Sequence, residues 1–125
     1  MKFKLEYVWL DGYSPEPNLR SKVKIVDLDT DVPMVHDCPE WSFDGSSTQQ
    51  ADGSFSDCIL KPVRVYPNPL NKGSIPSSLV LCEVINPDES AHVSNTRNYL
   101  SEMCKMDTSD YMVHNECSDT WFGFE

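Results

Sequence analysis

A chain of 125 residues has room for one hydrophobic core of ordinary size, and a second complete domain does not fit. Twenty acidic residues against ten basic ones give a net charge of -10, which repels nucleic-acid phosphates and anionic membrane surfaces. No apolar run approaches the roughly 20 residues needed to span a bilayer. We therefore expect no nucleic-acid partner and no membrane partner, and the cytoplasm is the default location.

The five cysteines are odd in number and irregularly spaced, which does not suit a disulfide framework. Cys58 and Cys82 lie inside apolar segments, where reduced thiols behave as small hydrophobic residues. The cysteine pattern therefore predicts buried reduced thiols and a reducing compartment.

The first third of the chain predicts a β-hairpin. Residues 2–10, KFKLEYVWL, alternate apolar and polar side chains, which is the period of a half-buried strand. Residues 20–26 alternate again after the turn sequence DGYSPEPN, so they are predicted to return antiparallel. The acidic stretch DLDTDVPMVHDCPE carries two prolines and is predicted to be a connection.

Residues 41–48, WSFDGSST, place a carboxylate between aromatic residues and a glycine-serine turn. Gly45 permits positive φ, and Ser46, Ser47 and Thr48 carry hydroxyls that bond nearby backbone, so a fixed loop is predicted. A fixed loop can aim Asp44. From local rules alone, Asp44 is either an Asx-turn residue bonded to its own loop or a carboxylate presented for chemistry.

Two further strands are predicted at residues 58–66 and 79–85, which are rich in β-branched residues. Pro62 lacks a backbone N–H, so an edge position or a bulge is expected in the first of them.

A helix is predicted from Asn95 to about Met106, with Ser94 or Asn95 as its cap. The residues that recur at helical spacing and predict its apolar side are Tyr99, Leu100, Met103 and Cys104. The ending TWFGFE, residues 120–125, predicts a strand that needs partners, so we interpret the chain as part of a longer protein.

Two metal-site alternatives are weak. Asp27, Asp29 and Asp31 resemble the start of a calcium loop, but Val32 and Cys38 replace its glycine and its bidentate glutamate. A solvated acidic loop explains the three aspartates better.

A zinc site assembled from Cys104, His114 and Cys117, with His36 and Cys38, lacks any C-x-x-C pair. Buried thiols and surface histidines explain these residues more simply. Three histidines at this spacing do not define a hydrolase, and the motifs GxSxG, GxxxxGK[ST] and GxGxxG are absent from the sequence.

Seven motifs, in one order, resemble the N-terminal part of glutamine synthetase in its type II, eukaryotic-like branch. They are LEYVWLDG at 5–12, LRSK at 19–22, WSFDGSST at 41–48, SDCILKPVRVYPNP at 56–69, LVLCEV at 79–84, SNTR at 94–97 and WFGFE at 121–125. The resemblance implies an α+β fold with a β-grasp-like mixed sheet and few helices over residues 1–89. A helix and a strand of an incomplete catalytic domain would follow over residues 90–125.

The resemblance also implies roles for individual residues. Glutamine synthetases phosphorylate the γ-carboxylate of glutamate with ATP and let ammonia displace the phosphate. Asp44 matches the family's aspartate that binds ammonium and helps remove its proton, and Ser47 matches a serine that lines the same site. Because that loop enters a neighbouring subunit's site, the expected partners are other synthetase subunits in a ring homo-oligomer, together with glutamate, ammonium and ATP.

Glu125 matches a family glutamate that binds the Mg²⁺ or Mn²⁺ carrying the ATP phosphates. Other metal ligands would lie outside this chain, so the isolated polypeptide is expected to be inactive. The alternative is a free-standing β-grasp module that docks on synthetase rings and modulates them. Gln49 and Gln50 depart from the family's glycine-containing STGQA, which could alter the mobility of the loop.

Overall fold

The computed structural model describes the backbone of residues 1–111 and the side chains of residues 1–105. Its strands are β1 (Lys2–Leu10), β2 (Leu19–Asp27), β3 (Trp41–Asp44), β4 (Asp57–Pro67) and β5 (Ser77–Ile85), and helix α1 spans Thr96–Tyr111. Short 3₁₀ turns occupy Val35–Asp37 and Gly45–Thr48.

The five strands form one mixed sheet in the order β2-β1-β5-β4-β3. Strands β1 and β5 pair in parallel, and the other three pairings are antiparallel. Within residues 1–111, a mixed sheet with one long helix confirms the predicted α+β, β-grasp-like class.

Alternation decides which face of the sheet forms the core. Strand β1 buries every second side chain, and the same face of β4 and β5 is buried beside it. The core consists of Phe3, Leu5, Tyr7, Trp9, Cys38, Phe43, Cys58, Leu60, Val80, Cys82 and Val84. The predicted β1–β2 hairpin and the predicted strands β4 and β5 are thereby confirmed.

A register shift follows Pro62 in β4, because Pro62 pairs with Cys82 and Arg64 pairs with the preceding Leu81. One residue of β4 is therefore extra, as the missing N–H of Pro62 predicted.

The thiols of Cys38, Cys58 and Cys82 are buried, and none of them forms a disulfide. Burial raises the pKa of Cys38 to about 11 and that of Cys82 to about 12. These thiols stay protonated at neutral pH and act as core residues, as predicted.

Helix α1 differs from its prediction in length and in exposure. Its cap is confirmed, since the Asn98 N–H donates to Asn95 Oδ1 at 3.0 Å. The helix continues to Tyr111, beyond the predicted end. Its predicted apolar side is open to solvent, with Tyr99 70% and Leu100 63% exposed, and Cys104 is also exposed instead of buried. Helical spacing shows that these residues share one side of the helix, but it does not show that another part of the protein covers that side.

Several predictions fall on residues that are not described. The strand TWFGFE, Glu125, His114 and Cys117 all lie outside residues 1–111. Over the described range, no helix combines the length and the apolar character needed to cross a membrane.

The curled sheet brings its two edge strands together at Trp41. Lys22 of β2 places its ammonium 3.6 Å from the centroid of the Trp41 ring and donates to the Ser42 carbonyl of β3. Lys24 lies over the same ring at the longer distance of 5.2 Å. A cation over an indole face and a hydrogen bond from a charged donor both stabilise this contact.

We predict that Lys22→Met lowers the free energy of unfolding by about 1–2 kcal/mol, because both interactions are lost while the aliphatic stem remains. Urea unfolding followed by tryptophan fluorescence measures the change. The matched variant Lys24→Met should lose clearly less. An equal or larger loss in Lys24→Met would show that the Lys22 contact does not hold the sheet edges together.

Candidate functional site

The stretch WSFDGSST forms the edge of the sheet and a turn, not a loop throughout. Trp41–Asp44 is strand β3, with Phe43 opposite Cys58 of β4, and Gly45–Thr48 is a 3₁₀ turn. The prediction of a fixed loop therefore holds only for the second half. Four residues are too short an alternation to predict a strand, and pairing with β4 decides the outcome.

Gly45 is required for space and not for positive φ, so the predicted reason was wrong. No described glycine has positive φ, and a Cβ on Gly45 would lie 2.7 Å from the Cys58 sulfur. The Gly45 N–H donates to the Ser56 carbonyl at 2.6 Å. Its own carbonyl accepts from the Gln50 N–H at 2.8 Å and from the Thr48 hydroxyl at 3.1 Å. The backbone at Gly45 is therefore fixed on both sides.

Asp44 caps the turn that follows it. Its Oδ1 accepts from the Ser46 N–H at 2.9 Å and from the Ser46 hydroxyl at 2.6 Å. Hydrogen bonds from the Ser46 hydroxyl and the Ser46 N–H lower the pKa of Asp44, desolvation acts in the opposite direction, and the Ser56 hydroxyl adds a smaller lowering. Asp44 is exposed, so the structure presents a charged and oriented carboxylate at the sheet edge.

Ser47 supports Asp44 through the backbone. Its hydroxyl donates to the Asp44 carbonyl at 3.0 Å, while its side chain remains exposed. The structure thus brings Asp44 and Ser47 together within one turn. Ser47 and Thr48 bond nearby backbone as predicted, whereas the Ser46 hydroxyl bonds the Asp44 carboxylate.

Asp57 is a second carboxylate at this edge, and sequence reasoning did not identify it. It pairs directly with Asp44 across β3 and β4. Side chains opposite each other in an antiparallel pair share a face, so Asp57 and Asp44 lie on the same face of the sheet at this edge. Only the register of the two strands reveals this neighbour.

The Asp44 loop, residues 44–50, also rests on the β1–β2 connection. The Gly12 N–H donates to the Thr48 carbonyl at 2.9 Å, and a Cβ on Gly12 would lie 2.1 Å from the Gln49 carbonyl oxygen. Gln49 itself has φ 55, in the left-handed region.

Asp11 holds the β1–β2 connection that carries Gly12. Its buried carboxylate accepts from the Arg20 Nε at 2.9 Å, the Asn18 N–H at 2.8 Å, the Tyr13 N–H at 3.1 Å and the Asn18 amide at 3.2 Å. Burial acts to raise the pKa of Asp11, but these hydrogen bonds outweigh it and lower the pKa to about 2. The connection is therefore organised around one ionised group.

Metal binding receives no support from the described part of the chain, where no three His, Cys, Asp or Glu side chains are grouped to hold an ion. The loop with Asp27, Asp29 and Asp31, which lies in this part of the chain, also forms no such group. Of the residues in the weak zinc alternative, Cys38 is buried, His36 and Cys104 are exposed, and His114 and Cys117 lie outside the described residues. The expected metal ligand Glu125 also lies outside them.

The fold and the Asp44 loop belong to a recognisable class. A family model described as "Glutamine synthetase, beta-Grasp domain" matches residues 2–87, which is more than half of the chain. The chain therefore belongs to the glutamine synthetase family.

Individual relatives extend the similarity past the β-grasp domain. A glutamine synthetase of Bradyrhizobium diazoefficiens is 44% identical over 125 residues, covering 99% of this chain and 31% of the relative. One of Streptomyces viridochromogenes is 51% identical over 106 residues, covering 84% of this chain and 29% of the relative. A chloroplastic glutamine synthetase of Chlamydomonas reinhardtii is 41% identical over 127 residues, covering 96% of this chain and 31% of the relative. The chain spans about a third of the length of these relatives.

We predict that Gln49→Gly raises the free energy of unfolding by about 1 kcal/mol, because glycine adopts the left-handed conformation without the Cβ clash. Glu89→Gly is the matched variant, since Glu89 has φ 68 in a different turn, and it should gain a similar amount. Thermal and urea unfolding provide the measurement. Destabilisation by Gln49→Gly would mean that the glutamine side chain outweighs the backbone strain.

We predict that Asp11→Asn lowers the free energy of unfolding by about 3 kcal/mol at neutral pH, because buried donors lose a charged acceptor. The folded-state pKa of about 2 lies below the ordinary 3.8, so the stabilisation is complete above pH 3.8. It disappears as the pH falls through about 2. Urea unfolding over this range should show the difference between wild type and variant shrinking with acid. A difference independent of pH would contradict the assignment.

Proposed function

We propose that this chain is the N-terminal portion of a glutamine synthetase, the ATP-dependent ligase that makes glutamine from glutamate and ammonia. In this proposal residues 1–89 are the β-grasp domain, and residues 90–125 begin the catalytic domain. Family membership and the 31% coverage of the Bradyrhizobium diazoefficiens enzyme support the proposal. The single structural observation that carries it is the exposed, oriented carboxylate of Asp44.

Asp44 is suited to ammonium on three grounds. It is anionic at neutral pH, as an ordinary aspartate is, and the hydrogen bonds from Ser46 and Ser56 lower its pKa further. It is exposed at the end of an edge strand, where a neighbouring subunit can approach. Its bonds from Ser46 both reach Oδ1, and an ionised carboxylate has about four acceptor sites, so capping the turn leaves acceptor capacity for a ligand. Capping and ligand binding are therefore compatible roles for one carboxylate.

The proposed chemistry of Asp44 follows from the state of its substrate. Ammonia is present mainly as ammonium, which is not a nucleophile until it loses a proton. The carboxylate binds the cation through charge-assisted hydrogen bonds and favours loss of the proton once the acyl phosphate is ready for attack. Ser47 holds the Asp44 backbone and is proposed to line the same shared site. Asp57 adds negative charge on the same edge, which favours the approach of a cation.

The remaining parts of the proposal rest on residues outside the described range. ATP would use Mg²⁺ or Mn²⁺, and Glu125 is the residue of this chain proposed to hold the metal. When bound, the metal supplies positive charge to the ATP phosphates. One such glutamate cannot complete a metal and phosphate site, so the 125-residue chain alone is proposed to be inactive. Glutamine formation by the purified chain from ATP, glutamate and ammonium would refute that part.

The role of Asp44 is testable in a chimera in which residues 1–125 replace the matched segment of the Bradyrhizobium diazoefficiens enzyme. We predict that Asp44→Asn lowers kcat/KM for ammonium by at least about 100-fold, because the cation loses its charged acceptor. The KM for ATP should change little. Steady-state assays at varied ammonium provide the measurement.

Asp52→Asn is the matched control, since it makes the same charge change at an exposed position of the following turn. Its effect should be small. An Asp44→Asn chimera with unaltered ammonium kinetics would exclude the proposed role. Equal losses of kcat/KM for ammonium in both variants would mean that Asp44 acts only through its negative charge and not through its position.

A further inference from the structure

Gln50, the last residue of the Asp44 loop, forms a closed ring of hydrogen bonds with His92 and Ser94. The His92 Nε2 contacts the Gln50 carbonyl, and the His92 Nδ1 lies 2.8 Å from the Ser94 hydroxyl oxygen. The Gln50 side-chain amide closes the ring by donating to the same Ser94 oxygen at 2.9 Å. Residues 50 and 92 are 42 positions apart in sequence, so this contact is long-range.

Neighbouring backbone groups determine which atoms donate and which accept in the ring. The Ser94 N–H donates to the His92 Nδ1 at 3.1 Å, so Nδ1 is an acceptor. In a neutral imidazole the proton then lies on Nε2 and is donated to the Gln50 carbonyl. The Gln50 amide nitrogen also donates to the Leu10 carbonyl at 3.2 Å, which fixes the orientation of that amide.

The ring is connected to Asp44 by a short path. The Gln50 N–H donates to the Gly45 carbonyl at 2.8 Å, and Gly45 directly follows Asp44. On the other side, the Asn95 N–H donates to the His92 carbonyl at 2.8 Å, and Asn95 caps helix α1. The ring therefore lies between the Asp44 loop and the start of the helix.

We propose that His92 is a positioning residue for Asp44, which it holds in place by binding Gln50 and so tying the Asp44 loop to the segment that begins helix α1. The catalytic meaning of this position rests on the proposed function. His92 is only 8% exposed and would not touch ammonium itself. Its contribution is to the geometry of the loop, because a shift of a few tenths of an ångström at Gly45 displaces the carboxylate of Asp44, the residue before it.

Removal of the imidazole donor leaves the Gln50 carbonyl buried with one fewer partner. The remaining donor to this buried carbonyl is the weak Cys58 thiol at 4.0 Å, so the loop is expected to shift until water or another group reaches the carbonyl. Because Gln50 and Thr48 share the Gly45 carbonyl, this shift loosens the turn that Asp44 caps. The bonds from Ser46 to Asp44 should weaken in consequence.

The test uses the 125-residue chain and needs no substrate. All variants carry Asp57→Asn, because Asp57 is the titratable group opposite Asp44. The carboxyl titration of Asp44 is followed by carbon NMR, and the exchange of the Ser46 N–H by hydrogen exchange. With His92 present, Asp44 should titrate below its ordinary value, since Ser46 lowers its pKa.

His92→Phe keeps a ring of similar shape but removes both nitrogens. We expect the Asp44 titration to rise toward 3.8 and the Ser46 N–H to exchange about tenfold faster, the factor for losing one ordinary hydrogen bond. His92→Gln retains a donor near the Nε2 position. It should therefore partly restore both the low titration of Asp44 and the slow exchange of the Ser46 N–H. Val80→Ala, a core truncation away from the ring, should leave both unchanged while lowering stability.

Unchanged Asp44 titration and Ser46 exchange in folded His92→Phe would overturn the proposal. If His92→Phe does not fold, Ser94→Ala decides, because it deletes only the hydroxyl of the ring and should give a smaller change in the same direction. No change in Ser94→Ala would then overturn it. The outcome is independent of ammonium, so failure here is distinguishable from failure of the Asp44→Asn chimera.

Discussion

The absence of a side chain at Gly45 is the constraint on which the candidate site depends. Its N–H is bonded to Ser56, its carbonyl is shared by the residues that close the turn, and the Cys58 sulfur fills the space where a Cβ would lie. Any larger residue would push the turn away from β4. Since Asp44 immediately precedes Gly45, the position of the carboxylate follows from this packing, and the core beneath the loop becomes part of the site.

The rest of the domain supports that arrangement from several directions. Lys22 holds β3 at the closing edge of the sheet, Gly12 supports the turn from the β1–β2 connection, and His92 holds its end. The hydrogen bonds that Asp44 accepts from its own turn also support this arrangement, because they orient the carboxylate and favour its ionised form. A loop supported in this way loses little conformational entropy when a ligand binds, which favours affinity.

Sequence patterns predicted the elements that obey simple periods, and they missed those set by contacts between distant segments. Alternation identified β1 and β2, and richness in β-branched residues identified β4 and β5, but β3 has four residues and exists because it pairs with β4. Asp57 could not be connected with Asp44 before the register was known, nor His92 with Gln50 across 42 residues. At Gly45 the residue was identified for the wrong reason, since crowding by Cys58 is a tertiary effect.

Complementation between subunits in chimeric rings tests most directly whether Asp44 serves the site of a neighbouring subunit. One chimera carries Asp44→Asn and the other carries Glu125→Gln, so each is defective in a different proposed part of the site. If the loop of one subunit serves the metal site of its neighbour, mixed rings contain sites with both intact residues, and random pairing should restore about a quarter of the wild-type activity. If mixed rings assemble and remain as inactive as either parent, Asp44 and Glu125 do not act across the subunit boundary, and the account is contradicted.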